Sequence, residues 1–444
     1  MSEGETRITV PVLARVEGEG ALTLRLRDGR IDTLELRIYE PPRLFEKFLE
    51  GRDWHEVPDM VARVCGICPV AYQMSAVHAL EQAFGIESSP RVRTLRRLFY
   101  CGEWIQSHSL HIHLLAAPDF LGFDSAPAMA RRYPEEVRRG LRLQGIGNEI
   151  IRLLGARSVH PVGARVGDFH RLPRPDELRV LRERLPQALE DARALVRWTA
   201  GLELPLDDQV FTCVALRHPD EYPMNEGRIV SSDGLDIDIG EYETHFREFQ
   251  VPWSTALHSL LHERPYLVGP LARLNLNHDR LPDPVGLLLR ETGIAFPSRN
   301  MFHSIVARAV EIHFALWEAA RLLETDDGAA VAPASITPRA GIGFGCTEAP
   351  RGLLWHRYAI DAQGRVAAAR IVPPTSQNQA RIEADLRAAL QAHGITRPAE
   401  DVRRRAEMVI RNYDPCISCA THFLRVHVEN AGQAQGYLLD AYDA

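Results

Sequence analysis

The chain has 444 residues, enough to bury a large core and, by length alone, to make about three domains. Its 52 Lys and Arg against 59 Asp and Glu leave a formal charge of −7, which offers no electrostatic footprint for nucleic acid or another polyanion. No apolar run reaches the roughly 18–20 residues that span a membrane, and the opening MSEGETRITV lacks the pattern of a secretory signal. In chain order, the first predicted element is a hairpin. Leu22, Leu24 and Leu26 alternate with polar residues, Asp28-Gly29 makes a turn, and Leu34, Leu36 and Ile38 alternate again. From Glu46 to about Gly155 the periodicity is mainly helical, with breaks expected at Pro90, Pro118 and Pro134. One long helix is predicted over 174–202. Residues 205–300 are rich in Pro and Gly and read as irregular, with short strand candidates such as Gln209–Leu216. A strong helix covers 301–324, a second hairpin turns at Asp361–Gly364, and helices follow near 379–393 and 399–410. The fold class expected is α+β, predominantly α, with a central helical bundle and small peripheral β-hairpins.

Four of the seven cysteines form two Cys-x-x-Cys pairs, Cys65/Cys68 and Cys416/Cys419, with almost the whole chain between them. The others, Cys101, Cys213 and Cys346, are scattered singly and read as buried free thiols, a reducing-compartment pattern. Four thiolates brought together make a soft tetrahedral site for zinc, nickel or an iron–sulfur cluster rather than magnesium or calcium. Structural zinc normally closes a short loop, and a redox dithiol would use either pair alone. Spacing therefore leaves structural zinc, a catalytic metal and a redox dithiol all open. If both ends build one site, residues 1–422 form one interleaved body and 423–444 a tail.

The flanking residues narrow the choice. Arg63-Val64-Cys65-Gly66-Ile67-Cys68-Pro69 and Asp414-Pro415-Cys416-Ile417-Ser418-Cys419-Ala420-Thr421-His422 together resemble the two signatures of the large, catalytic subunit of nickel–iron hydrogenases. Between them Arg15-Val16-Glu17-Gly18 looks like the family's R-x-E-G motif. Arg43, Glu46, Gly51 and Arg52, then His108, His111 and Asp119, and finally Pro350-Arg351-Gly352 fit further segments of it. The forms CGICPVAY and DPCISCATHF look most like the soluble, multi-subunit NAD(P)-linked hydrogenases, or sulfhydrogenases.

The resemblance implies the large-subunit fold and reversible heterolytic cleavage of H2 at a nickel–iron centre whose iron carries carbon monoxide and cyanide. All four thiolates would bind nickel, Cys65 and Cys416 terminally, with Cys68 and Cys419 bridging to iron. The sulfur of Cys416 would be the nearest base and Glu17 the next proton acceptor. Arg351 would cover the metals, oriented by Asp119 and Asp414, and is a second candidate for the base. Glu46 and His422, with a backbone carbonyl near Gln379, would hold a magnesium-like ion. Taken alone, these residues have plainer readings. Glu17 reads as an exposed carboxylate, Arg351 as a surface residue in a Gly/Pro turn, Asp414 as a helix N-cap and His422 as a core histidine.

Three positions depart from the commonest family pattern. Tyr72 and Glu19 stand where His is common, and Asp168 where a second Gly is often found. Tyr72 can hydrogen-bond but does not titrate near neutral pH.

Beyond the four ligands no cysteine cluster remains to relay electrons. The resemblance therefore implies an iron–sulfur small subunit, and further subunits carrying flavin, the NAD(P) site and more iron–sulfur clusters, in the cytoplasm. It also implies a nickel-maturation endopeptidase that cuts after His422, making 423–444 a maturation peptide. The alternative for that tail is a permanent strand, since Leu424, Val426 and Val428 alternate with polar residues. Three other functions compete. A hydrogenase-like quinone subunit of respiratory complexes would have lost the nickel thiolates, and here all four cysteines are intact. A hydrogen-sensing regulatory subunit would carry the same metals but generally lacks the extension. A structural zinc protein would leave Glu17, Arg351 and the aspartates unexplained.

Overall fold

The computed structural model describes residues 5–326, 336–421, 427–428 and 437–438. The chain opens with an antiparallel sheet of β1 (Glu5–Val10), β2 (Gly20–Arg27) and β3 (Arg30–Ile38), in that order. The alternating leucines pair across it, Leu22 with Leu36 and Leu24 with Leu34, and all four are buried. The expected hairpin is therefore present, with β1 added to its edge.

Short helices α1 (Phe45–Leu49) and α2 (Val57–Val61) lead to α3 (Pro69–Phe84), which starts directly after Cys68. Helix α4 (Pro90–Leu110) runs into a π-helical turn, His111–Ala116, and then α5 (Ala117–Phe120). Pro90 opens α4 in its first turn, where proline's missing N–H costs nothing, and the Ser89 side chain caps it. Pro118 is no break. Its ring falls in the first turn of α5, just after the π-turn has shifted the hydrogen-bond register, so the chain stays helical from Pro90 to Phe120. Next come α6 (Ala126–Arg132), α7 (Pro134–Gly155), a small ribbon of β4 (Ala164–Arg165) with β5 (Asp168–Phe169), and α8 (Pro175–Ala200).

The stretch read as irregular holds two small antiparallel sheets. One is β6 (Val214–Arg217), β7 (Arg228–Ser231) and β8 (Asp236–Ile237); after α9 (Tyr242–His245), the other is β9 (Phe246–Gln250) with β10 (Leu257–Leu261). Only the last part of the Gln209–Leu216 candidate is strand. Helices α10 (Pro270–Asn277), α11 (Asp283–Glu291) and α12 (Ser304–Thr325) follow. Then β11 (Gly341–Ala349), β12 (Gly352–Ile360) and β13 (Val366–Val372) form an antiparallel sheet, succeeded by α13 (Pro374–His393), α14 (Ala399–Asn412) and the short α15 (Ile417–Ala420).

The core lies between α3, α4, α7, α8 and α12. Helix α12 is buried nearly all round, as its apolar residues on every face require. Strand β11 lies directly on α3: a Cβ at Gly343 or Gly345 would come within 1.9 Å of the carbonyl oxygens of Ala79 or Ser75. Because Ala349 pairs with Gly352, Pro350 and Arg351 form the two-residue tip of the β11–β12 hairpin. That tip, the start of α3 and the turn into α15 meet at one place.

Candidate metal centre

The sulfurs of Cys65, Cys68, Cys416 and Cys419 lie within 4.8 Å of one another, and all four residues are buried. Cys65 Sγ is 3.4 Å from Cys416 Sγ, and Cys68 Sγ is 3.8 Å from Cys419 Sγ, although each pair is 351 positions apart in sequence. Among the described residues no other set of three or more His, Cys, Asp or Glu side chains comes close enough to share an ion. Thiolates around one first-row metal at about 2.3 Å stand roughly 3.7 Å apart, so the donor set is near what such a metal needs, with the Cys416 and Cys419 sulfurs, 2.8 Å apart, opening to admit it. The backbone N–H groups of Ile67 and Cys68 both donate to Cys65 Sγ at 3.3 Å, fixing its direction. Burial pushes the thiols of Cys416 and Cys419 up, since anionic sulfurs crowd together there without water. A cation bound to all four would remove that penalty.

Arg351 reaches the same pocket from the hairpin tip. Its Nε donates to the Asp414 carbonyl oxygen at 2.6 Å and its Nη2 to Asp414 Oδ1 at 2.9 Å. Nη1 is buried without a partner among the described residues. Although burial opposes it, the guanidinium is held charged by Asp414 and by the thiols of Cys416, Cys68 and Cys65. Asp414 stands at φ 54°, a left-handed conformation that turns the chain from α14 toward Cys416.

Asp119 does not orient Arg351. Its carboxylate takes a two-pronged grip from Arg411, Nε at 2.7 Å and Nη2 at 2.9 Å, and an ion pair from Arg15. Arg411 is four residues past Glu407, to which it also bonds, and its carbonyl accepts from His111 Nε2 at 2.8 Å. Asp119 thus ties the N-terminal loop to the end of α14 rather than acting on the hairpin tip.

Glu17 sits in that N-terminal loop, half-buried. Its carbonyl accepts the Ile417 N–H at 3.0 Å, and its carboxylate accepts the Ser418 N–H at 3.1 Å. It runs as a parallel bridge beside Cys416. Gly18 explains the motif's glycine: at φ 88°, a Cβ would lie 2.6 Å from Ile417 Cβ. Arg43 closes the other side, donating to the Val64 carbonyl at 2.6 Å and to that of Ser418.

Glu46 is buried on α1, its Oε1 accepting the Ile371 N–H at 2.7 Å. Gln379 is fully buried in α13, and both side-chain amide atoms lack a protein partner. His422, the third expected ligand, lies outside the described residues, as does most of the 423–444 tail.

One residue beside the pocket was not singled out by its sequence. Glu103 of α4 is buried and accepts the N–H groups of Val70 and Ala71 at 2.6 and 3.0 Å, capping the start of α3 from outside. Burial pushes its carboxyl well above the usual range, against the pull of those two bonds. Nothing local marks a glutamate in a long helix as the cap of another helix, so pattern alone could not have found it. Tyr72 points a buried, unpartnered hydroxyl into the same region, and burial together with Cys419 and Cys68 raises its pKa.

Comparison with known proteins agrees with this geometry. The family model for nickel-dependent hydrogenases matches residues 43–138 and 262–422. Sulfhydrogenase 2 subunit alpha of Pyrococcus furiosus is 33% identical over 422 residues, covering 94% of this chain and 100% of that protein. The NAD-reducing hydrogenase HoxS subunit beta of Cupriavidus necator is 28% identical over 466 residues, with 94% and 95% covered. A crystal structure of an NAD+-reducing [NiFe]-hydrogenase in the H2-reduced state superposes with a TM-score of 0.85 at 28% identity, over 95% of this chain and 100% of that one. The chain belongs to the nickel-dependent hydrogenase family, as a catalytic large subunit.

Proposed function

We propose that this subunit splits H2 at a nickel–iron centre held by Cys65, Cys68, Cys416 and Cys419, and hands the electrons through an iron–sulfur small subunit to a flavin- and NAD(P)-binding part of a larger complex. The observation that carries the reading is the buried four-sulfur pocket with the charged Arg351 guanidinium beside it. The bound metals, with carbon monoxide and cyanide on iron, supply the Lewis acidity that polarises H2.

The chain's own residues do the rest. The thiolates of Cys65, Cys68, Cys416 and Cys419 would hold the metals. The sulfur of Cys416 takes the first proton. Glu17 takes it next, because its carboxylate adjoins the Cys416–Ser418 turn and is half-buried, so it joins the closed pocket to the surface. Arg351, kept charged and held by Asp414, stabilises negative charge on the pocket. Glu46 and His422, with a backbone carbonyl near Gln379, would hold a magnesium-like ion.

Electrons leave where the cluster nears the surface. Gly66, between Cys65 and Cys68, is exposed, and so are Arg63, Arg157 and Val159. His160 adjoins Gly66 and bonds the Ala62 carbonyl at 2.8 Å. A partner's iron–sulfur cluster docked on that face would lie next to the thiols. The relatives named for NAD reduction and for sulfhydrogenase activity support the wider complex. The tail after His422 is read as a maturation peptide. The test is an infrared spectrum of the chain purified with its natural partners, with NAD(P) reduction by H2 followed in parallel. Sharp stretches from metal-bound carbon monoxide and cyanide are expected. A nickel-supplied, mature preparation without them, holding zinc instead, would refute the reading.

A further inference from the structure

Arg273, in the first half of α10, is fully buried, and all five of its guanidinium N–H donors are committed. Nε and Nη2 hold Glu311 at 2.8 Å each, and Nη1 holds Glu348 at 3.0 Å. The remaining two bonds go to carbonyl oxygens, Ala349 at 2.7 Å and Pro350 at 3.1 Å. These are the two peptide carbonyls immediately before Arg351. The guanidinium also lies 4.5 Å over the Trp104 ring. Glu311 is fixed in turn by His108 Nε2 at 2.9 Å and the Tyr222 hydroxyl at 2.8 Å. On the other side of the tip, a Cβ at Gly269 would come 2.9 Å from the Arg351 carbonyl oxygen, so the start of α10 is pressed against the same turn.

A buried charge cluster is rarely the most stabilising filling for a core, and well-packed apolar side chains do as well or better. What this one offers is direction. Among the described residues, Arg351 is held at its head by Asp414 alone, with Nη1 left free. The root of Arg351 is a two-residue hairpin tip, which a tilt of the strands would move. Arg273 grips that root with two charge-assisted bonds, themselves braced by two carboxylates.

We propose that Arg273 is a positioning residue for Arg351: by clamping the Ala349 and Pro350 carbonyls it sets where the Arg351 guanidinium stands over the thiols. The assignment rests on the catalytic role proposed for Arg351. The experiment is Arg273→Lys in the assembled complex. Lysine keeps the charge but cannot make five bonds in a plane. Nickel and iron content should stay at the wild-type level. The kcat for H2 oxidation should fall about 10- to 100-fold, as when supporting residues around a metal site are lost, with KM for H2 little changed. Amide deuterium exchange in the peptide carrying Ala349–Gly352 should quicken, in the metal-free chain as well as the loaded one. Arg351→Lys should cost a similar factor, and the double variant no more than the worse single one. A folded R273K with wild-type kcat and wild-type exchange at the tip would overturn the proposal, and so would effects that multiply in the double variant. If R273K does not fold, Glu348→Gln loosens one brace and leaves Glu311 in place. It should raise exchange in the same peptide and lower kcat by a smaller factor; unchanged exchange there would overturn the proposal too. A wild-type complex without H2 turnover would instead remove the hydrogenase reading, while the exchange measurement would still judge the clamp.

Discussion

Asp119 and Asp414 carry the same functional group but hold different arginines. The motifs marked both as functional, and both do lie near the pocket, but which arginine each meets is a matter of three-dimensional distance that no spacing in the sequence encodes. Asp414 is three residues past Arg411 and bonds Arg351, whereas Asp119 bonds Arg411 and Arg15. The consequence is that Asp119→Asn should act mainly on stability. It leaves two largely buried guanidinium groups short of their anion, a loss worth about 3 kcal/mol. The unfolding midpoint of the isolated chain in urea should drop, and exchange should quicken both at Arg15–Gly18 and at Arg411–Asp414. A variant with wild-type midpoint and exchange but impaired turnover would return Asp119 to the role of orienting Arg351. Arg15 and Glu17 were legible as a motif, because a glycine that must admit Ile417 and a carboxylate beside it recur together. Glu103 was not, because its partners belong to the preceding helix, 33 and 32 positions away.

At the scale of elements, legibility followed periodicity. Helices α8, α12 and α14 and the two hairpins have clear repeats, and they appear close to where those repeats place them. Strand β11 has glycine at alternate positions instead of an apolar face, so it gave no strand signal; its glycines serve contact with α3. The π-turn at His111–Ala116 was equally silent, since it changes hydrogen-bond register and not composition. The helices also carry buried histidines whose effect on stability has a definite sign. His313 of α12 is buried with both ring nitrogens unpartnered, and burial, aided by Arg193 and Arg197, lowers its pKa to about 4. The unfolded chain binds that proton at about 6.5. Stability from neutral His313 is therefore complete above about pH 6.5 and is lost as pH falls from there toward 4. His108 and His113, each lowered to about 4, add to the same trend. His313→Leu removes two unsatisfied polar atoms at similar volume and should stabilise the isolated chain by about 1 kcal/mol at pH 7. It should also lessen the fall in urea midpoint between pH 6.5 and 4. A lower midpoint at pH 7 with an unchanged acid slope would show that the ring has a partner the packing does not reveal.

At the scale of the whole molecule, the two cysteine pairs offered the possibility that distant parts of the chain meet at one site, and they do. What spacing could not show is how much of that meeting is independent of metal. The Cys416–Thr421 segment is held by Glu17 through Ile417 and Ser418, by Arg43 through Ser418 and Thr421, and by Thr375, whose hydroxyl accepts the Cys416 N–H at 3.0 Å. Arg351 and Asp414 lock its beginning. Each contact comes from a different part of the fold, and none uses a sulfur. A small zinc-stapled domain, by contrast, unfolds when its metal is removed, because the metal supplies most of its folding energy. Here a core built around five helices supplies that energy, and the thiols are gathered by their surroundings. Cys419→Ser should therefore abolish nickel binding and activity yet keep a cooperative thermal transition. Its midpoint should lie within about 1 °C of metal-free wild type, since a shift of that size in a chain this long corresponds to about 1 kcal/mol. Metal-free wild type should itself melt below the loaded subunit, by an amount set by how tightly the folded state alone binds the ion. Calorimetry on the three forms checks this. A C419S chain, or a metal-free wild type, without a cooperative transition would mean that the metal builds the fold; a C419S chain that still loaded nickel and turned over H2 would remove Cys419 from the ligand set.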